Sequence, residues 1–123
     1  MTGVSIFLVE DEALIRMMIV EMLEDLRHRV VAEAGSIQAA EPLAHTSMFD
    51  LAIFDINVAG FNISPVAEIV AERGLPFVFV SGYGAAGRPV LFPDKPVLNK
   101  PFLIEDFAEL INTAVGKTQQ LGT

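Results

Sequence analysis

Cysteine and tryptophan are absent from the chain, and basic residues are scarce. Without cysteine the chain forms no disulfides, and its composition fits a reducing compartment. The 8 lysines and arginines stand against 16 acidic residues, which gives a net charge of −8. Such an acidic surface is a poor match for nucleic acid, so we expect no nucleic-acid partner.

Targeting and membrane-spanning patterns are also missing. The chain does not open on a basic stretch followed by an apolar one, and a strand pattern already begins at Ser5. No apolar run approaches the roughly 20 residues that cross a bilayer. We therefore expect a cytoplasmic protein with no membrane partner. Its 123 residues, 52% of them hydrophobic, predict one domain with an ordinary core.

Short apolar runs alternate with amphipathic segments along the chain. The runs are typical of buried strands and cover residues 5–9, 29–34, 51–55, 77–80 and 97–99. Helical patterns cover residues 13–26, 36–44, 64–72 and 103–116. Pro42 interrupts the second of these helices, which therefore has the weakest support. The alternation predicts an α/β fold: a doubly wound, five-stranded parallel sheet with helices on both faces.

Local signals set the expected helix boundaries. Ser36 and Ser64 can cap the second and third helices. In the last helix Leu103 and Phe107 fall on the apolar face, and Gly116 marks its end.

Glycine and proline are concentrated between the fourth and fifth predicted strands, within residues 82–96. A helix of normal length is incompatible with that spacing, so the fourth helix is expected to be reduced or absent. We assign residues 1–116 to the domain and residues 117–123 to a short C-terminal tail.

Polar side chains stand at the C-terminal ends of four predicted strands. They are Glu10-Asp11, Asp55, Ser81 and Lys100. Taken singly, each has an ordinary structural explanation, such as a helix start, a turn or a surface charge. Jointly they predict a site, because parallel strands bring these ends to one edge of the sheet, where ligands bind in open α/β folds.

The chemistry of these groups suits phosphoryl transfer. Clustered carboxylates repel one another unless a cation joins them, and hard oxygen ligands favour Mg²⁺. Lys100 adds a positive charge and Ser81 a hydroxyl donor, which can surround the oxygens of a phosphoryl group. The remaining carboxylate, Asp55, is then the nucleophile that forms an aspartyl phosphate.

These motifs resemble the receiver domain of bacterial two-component response regulators, the CheY-like fold. The matching stretches are Phe7-Leu8-Val9-Glu10-Asp11-Glu12, the strand that ends at Asp55, Phe79-Val80-Ser81-Gly82 and Leu98-Asn99-Lys100-Pro101-Phe102. The resemblance covers nearly the whole chain and implies the flavodoxin-like strand order 2-1-3-4-5.

For the site, the resemblance implies that Asp55 accepts a phosphoryl group from a histidine kinase or a histidine phosphotransfer protein. It implies Mg²⁺ held by Asp11 and Asp55, by Glu10 through water, and by the backbone carbonyl of Asn57. Ser81 and Lys100 would contact the phosphoryl group.

Two features depart from the usual receiver pattern. Val97 stands where typical receivers carry an aromatic switch residue, and the fourth helix is degraded. The stretch Phe79-Val80-Ser81-Gly82-Tyr83-Gly84 is similar to the receiver subgroup known as the FAT GUY type. We therefore expect Ser81 and Tyr83 to form the switch.

The leading interpretation is a stand-alone receiver that acts by phosphorylation-dependent binding of a downstream protein or as a phosphate sink, and that is not a turnover enzyme. Two alternatives remain at this point. Asp55-Ile56-Asn57-Val58 faintly resembles the signature of haloacid-dehalogenase-type phosphohydrolases, and the same sheet order can hold FMN in a flavodoxin-like binding module.

The first helix carries apolar side chains in or beside its polar arc, at Leu14, Met17 and Met18. Scattered exposed apolar residues are normal, so these have an ordinary explanation. In receivers this helix borders the acidic site, and the three residues are then candidates for a kinase docking surface.

Overall fold

The computed structural model describes residues 3–82 and 87–121. This part of the chain forms seven strands and four helices. The strands are β1 (Ser5–Val9), β2 (Arg29–Ala34), β3 (Leu51–Asp55), β4 (Asn57–Val58), β5 (Phe61–Asn62), β6 (Phe77–Ser81) and β7 (Val97–Asn99). The helices are α1 (Ala13–Asp25), α2 (Ile37–Thr46), α3 (Ser64–Glu72) and α4 (Ile104–Leu121).

Five strands form one parallel sheet in the order β2-β1-β3-β6-β7. With β4 and β5 counted apart, this is the predicted order 2-1-3-4-5, and the predicted doubly wound α/β fold is confirmed. All residues of β1, β3 and β6 are buried, whereas the edge strands β2 and β7 are partly exposed. The central strands therefore read as continuous apolar runs, as expected for a sheet covered on both faces.

Alternate residues of each central strand supply two separate cores. In β3, Phe54 packs on the side covered by α2 and α3, together with buried phenylalanines from β1 and β6. Its neighbour Ile53 packs on the other side, with Ile19 and Leu23 of α1 and Phe107 of α4. The period of two along the strands therefore fixes which helix pair each side chain meets.

The helix that contains Pro42 forms in full. Ser36 caps α2 as predicted, since its hydroxyl oxygen accepts a hydrogen bond from the backbone N–H of Ala39 at 3.1 Å. Buried Ala40 and Ala44 pack this helix against the sheet. Packing and the cap therefore outweigh the one hydrogen bond that proline removes.

The start of α3 differs from the prediction. Ser64 is the first helical residue and not its cap; the residue before the helix is Ile63. The side chain of Asn62 plays the capping part, because its Oδ1 accepts the backbone N–H of Ser64 at 3.0 Å.

A short hairpin that the sequence analysis did not predict precedes this helix. Strands β4 and β5 pair antiparallel around Ala59 and Gly60, whose φ values are 52° and 88°. Two successive left-handed residues are typical of a tight two-residue hairpin turn. Strands of two residues are too short to show a periodic pattern in the sequence.

The end of the last helix is also different from the prediction. Helix α4 continues through Gly116 to Leu121, because one glycine costs a helix only about 1 kcal/mol and nothing after it blocks helical geometry. Leu103 precedes the helix and is 66% exposed, so its assignment to the buried face was wrong. Phe107 is buried as predicted, and Ile111, one turn further along the helix, is buried too.

The segment between β6 and β7 contains turns and no helix over residues 87–96, as its glycines and prolines predict. Residues 83–86, and with them the predicted switch residue Tyr83, lie outside the described residues. In the described parts of the chain, every helix is too short or too polar to cross a membrane.

Candidate functional site

Three carboxylates meet at the C-terminal edge of the sheet. Glu10 and Asp11 follow β1, and Asp55 is the last residue of the adjacent strand β3. Each offers a carboxylate oxygen within 4.8 Å of the oxygens of the other two. The parallel pairing of β1 with β3 therefore produces the acidic cluster that the sequence predicts.

Lys100 joins this cluster from the end of β7. Its Nζ lies 2.7 Å from Oε1 of Glu10 and 3.2 Å from Oδ2 of Asp55. Its backbone N–H donates to the carbonyl oxygen of Ser81 at 2.8 Å, which fixes the β7 end beside the end of β6. The ammonium group of Lys100 thus links the C-terminal ends of β1 and β3.

Glu10 is fully buried, and both of its carboxylate oxygens have protein partners. Oε1 accepts from Lys100, and Oε2 accepts the backbone N–H of Glu12 at 3.1 Å. These contacts hold the Glu10 side chain in one place, with its charge directed toward Lys100.

The unpredicted hairpin forms the opposite wall of the site. Oδ2 of Asp11 accepts the backbone N–H of Ala59 at 3.0 Å, and Oδ1 of Asn57 accepts that of Gly60 at 2.9 Å. Asn57 was predicted at the site for its backbone carbonyl, and Ala59 was not predicted. Ala59 contacts Asp11 through its backbone N–H in a left-handed turn, and a backbone contact of this kind has no side-chain signature in the sequence.

A cleft of about 790 Å³ lies between these walls. It is lined by Asp11, Asp55, Asn57, Ser81 and Lys100 among others, so five of the predicted site residues face one space. Glu10 lies behind it, in contact with Lys100. The glycines Gly60, Gly82 and Gly87 and the residues Glu12, Ile56 and Asn62 complete the lining.

Electrostatics make Asp55 distinctive within this cluster. Burial and the neighbouring charge of Glu10 raise the pKa of Asp55 to about 7, against the opposing effect of Lys100. For Lys100, burial disfavours the charged form, but the hydrogen bond to Glu10 and the charge of Asp55 outweigh it and raise its pKa. The pocket therefore carries more negative charge than its single ammonium group compensates.

This donor set fits a divalent cation. Mg²⁺ binds oxygen ligands, keeps several waters and needs only one or two carboxylates from the protein. Asp11 and Asp55 line the cleft, and burial together with the charge of Glu10 makes the ionised Asp55 carboxylate unfavourable without a cation beside it.

Other predicted residues lie apart from the cleft. Leu14, Met17 and Met18 on α1 are 76%, 58% and 59% exposed. Val97 is half-buried against the core on the side of α2 and α3.

Comparison with known proteins gives a consistent result. The family model described as "Response regulator receiver domain" matches residues 6–112. The Mycobacterium tuberculosis transcriptional regulatory protein PdtaR is 32% identical over 120 residues, which are 94% of this chain and 58% of PdtaR. The chain therefore spans little more than half the length of this curated relative.

Solved structures agree with this. SdrG from Sphingomonas melonis Fr1 is 36% identical with a TM-score of 0.77, covering 94% of this chain and 96% of that one. A CheY-like receiver domain protein from Methanospirillum hungatei has a TM-score of 0.84 over 97% of this chain and 98% of its own, at 20% identity, and so shows the fold alone. The family match over most of the chain, together with the sheet order and the acidic edge, leads to one conclusion: the chain belongs to the response regulator receiver domain family.

Proposed function

We propose that Asp55 accepts a phosphoryl group from a histidine kinase or a histidine phosphotransfer protein in a Mg²⁺-dependent reaction. The observation that carries this proposal is the place of Asp55: it ends a central buried strand, faces the cleft, and has Lys100 Nζ 3.2 Å from its Oδ2. A carboxylate oxygen of Asp55 bonds to phosphorus while the bond from phosphorus to the donor nitrogen breaks. The donor histidine leaves with that electron pair.

Asp11, Asp55 and the backbone carbonyl of Asn57 would hold Mg²⁺, with Glu10 acting through water. When bound, the ion supplies positive charge for the equatorial phosphoryl oxygens and offsets the repulsion between the carboxylates. The hydrogen bond from Ala59 keeps the Asp11 carboxylate on the hairpin side of the cleft.

Lys100 and Ser81 complete the phosphoryl contacts in this proposal. Phosphorylation of Asp55 removes the carboxylate charge that Lys100 contacts, so the Lys100 ammonium group would turn to the new phosphoryl oxygens. Ser81 is 3% exposed and lines the cleft, which suits its hydroxyl to a fixed contact. Charge-assisted contacts of this kind are the stronger class of hydrogen bond.

The protein would act by phosphorylation-dependent binding of a downstream protein, or as a phosphate sink, in the cytoplasm. Leu14, Met17 and Met18 are the proposed docking surface for the phosphodonor, since all three are exposed on the helix that follows the acidic pair. The receiver-family match over residues 6–112 favours this role over the phosphohydrolase and FMN-binding alternatives.

Phosphorylation should depend on Asp55 alone. Treatment with a small acyl phosphate and Mg²⁺ should add one phosphoryl group to the wild type and none to Asp55→Asn, measured by intact mass. Glu12→Gln, which removes another acid from the same cleft, should be labelled like the wild type. Equal labelling of Asp55→Asn would show that the acceptor is elsewhere.

Removal of Asp11 should abolish metal-dependent labelling. Without Mg²⁺, Asp11→Asn keeps an acceptor for the N–H of Ala59 and removes one charge, so the free energy of unfolding should rise by about 1 kcal/mol. Asp11→Ala removes the charge and also the hydrogen-bond acceptor, so its free energy of unfolding should rise by less than that of Asp11→Asn. Unchanged Mg²⁺ affinity in either variant, measured by titration calorimetry, would contradict the metal assignment.

The raised pKa of Asp55 predicts a specific pH dependence of stability. Between pH 4 and 7 the folded state keeps the Asp55 proton while the unfolded chain, with a pKa near its ordinary 3.8, has lost it. Asp55 therefore makes folding less favourable as pH rises through this window. Relative to wild type, Asp55→Asn should gain stability from pH 4 to 7, on the order of 1–2 kcal/mol, and then level off.

Chemical denaturation without metal at several pH values would measure this gain. Asp25→Asn, an exposed acid on α1, provides the control and should show no such rise. A constant difference between Asp55→Asn and wild type across the window would mean that Asp55 is charged throughout.

The output route is proposed to run from Ser81 through residues 82–96. Val97 has no ring to reorient, and the described residues 87–96 form turns and no helix, so a rearrangement there breaks no helical hydrogen bonds. A phosphoryl mimic with Mg²⁺ should change amide protection mainly between Ser81 and Pro96, and Tyr83→Ala should weaken partner binding. Changes confined to α4, with Tyr83→Ala binding normally, would refute this route.

A further inference from the structure

Arg16 lies outside the cleft but contacts the backbone that carries the acidic pair. Its guanidinium group donates from NH1 to the backbone carbonyl oxygen of Glu10 at 2.7 Å. Its Nε lies 3.4 Å from Oε1 of Glu33 on β2. The side chain is 26% exposed, so both contacts are partly shielded from water.

The carbonyl of Glu10 lies just beyond β1, which ends at Val9, so it is outside the strand's own residues. The N–H of Glu10 still continues the sheet, donating to Ala34 at 3.1 Å. The next peptide unit, which joins Glu10 to Asp11, lies beyond the strand, and Arg16 holds its carbonyl. Displacement of that peptide would move the Cα of Asp11, and with it the Asp11 carboxylate, relative to Asp55.

A second observation concerns Gly35, at the turn after β2. A Cβ built on Gly35 would lie 3.0 Å from NH1 of Arg16, closer than ordinary van der Waals contact. Gly35 therefore leaves the space that the guanidinium group occupies. No left-handed backbone angle is present at this glycine, so alanine is conformationally acceptable there.

We propose that Arg16 is a positioning residue: it fixes the peptide between Glu10 and Asp11 so that the Asp11 carboxylate is directed at the metal and phosphoryl site. Its charge is offset by Glu33, so the hydrogen bond to the carbonyl carries the effect. The inference rests on the proposed function for the identity of the metal, but the backbone contact exists without it. Mutation of a group that orients a metal ligand without itself binding the metal commonly lowers metal affinity about tenfold or more.

The test uses four variants and two measurements. Arg16→Ala removes the contact, Arg16→Lys keeps a donor group, and Glu33→Gln removes only the ion pair. Gly35→Ala pushes the guanidinium group by a few tenths of an ångström without altering it. The first measurement is amide exchange of Glu12 in the metal-free protein, because that N–H donates to Oε2 of Glu10. The second is the Mg²⁺ dissociation constant by titration calorimetry.

Arg16→Ala should raise the Mg²⁺ dissociation constant about tenfold and speed exchange at Glu12. Gly35→Ala should change both quantities in the same direction but by less than Arg16→Ala, since it only shifts the guanidinium group. Arg16→Lys should recover part of the loss, and Glu33→Gln should stay within about twofold of the wild type. If Arg16→Ala does not fold, Gly35→Ala and Arg16→Lys decide.

A lower free energy of unfolding with wild-type Mg²⁺ affinity and wild-type Glu12 exchange would overturn the proposal, because Arg16 would then be merely structural. An effect of Glu33→Gln equal to that of Arg16→Ala would also overturn it. If the wild type binds no Mg²⁺, the proposed function fails on its own, and the metal-free exchange measurement still decides the role of Arg16.

Discussion

The main constraint on this structure is that three mutually repelling carboxylates are held together at one edge of a buried sheet. Glu10, Asp11 and Asp55 offer oxygens within 4.8 Å of one another, and one ammonium group, that of Lys100, joins two of them. Burial, and after it the charge of Glu10, raises the pKa of Asp55 to about 7, so an ionised Asp55 carboxylate is unfavourable in this site. A cation bound beside these carboxylates would stabilise the site. Without one, the packing of the sheet must offset the cost of holding the carboxylates together.

The sheet meets this demand because its central strands are apolar on both sides. Phe54 and Ile53 face different cores, so neither face of β3 can turn toward water without exposing a buried cluster. Slipping a strand by one residue would exchange the two faces. The register that buries Phe54 is thus the register that places Asp55 at the edge, and folding and site geometry are set by the same contacts.

The sequence predicted this arrangement well wherever a signal spanned a whole element. Buried strands read as apolar runs, and Asp55 and Lys100 could be selected because they follow such runs. The β4–β5 hairpin and the capping of α3 by Asn62 were missed, since both depend on elements two residues long. The contact of Arg16 with Glu10 was missed for another reason: a backbone carbonyl has no signature in the sequence, and only tertiary structure shows what it meets.

The connection between Ser81 and Lys100 bears on how the site would reach the rest of the molecule. The carbonyl of Ser81 accepts the backbone N–H of Lys100, so the chain between them is closed into a loop at the site itself. Asn62, which lines the same cleft, also donates to the carbonyl of Gly87 within that loop at 2.6 Å. A change in the contacts of Lys100 therefore acts on both ends of this segment at once. Phe92 of this segment packs edge-on against the buried Phe77, with ring centroids 5.0 Å apart, so a rearrangement there also reaches the core on the side of α2 and α3.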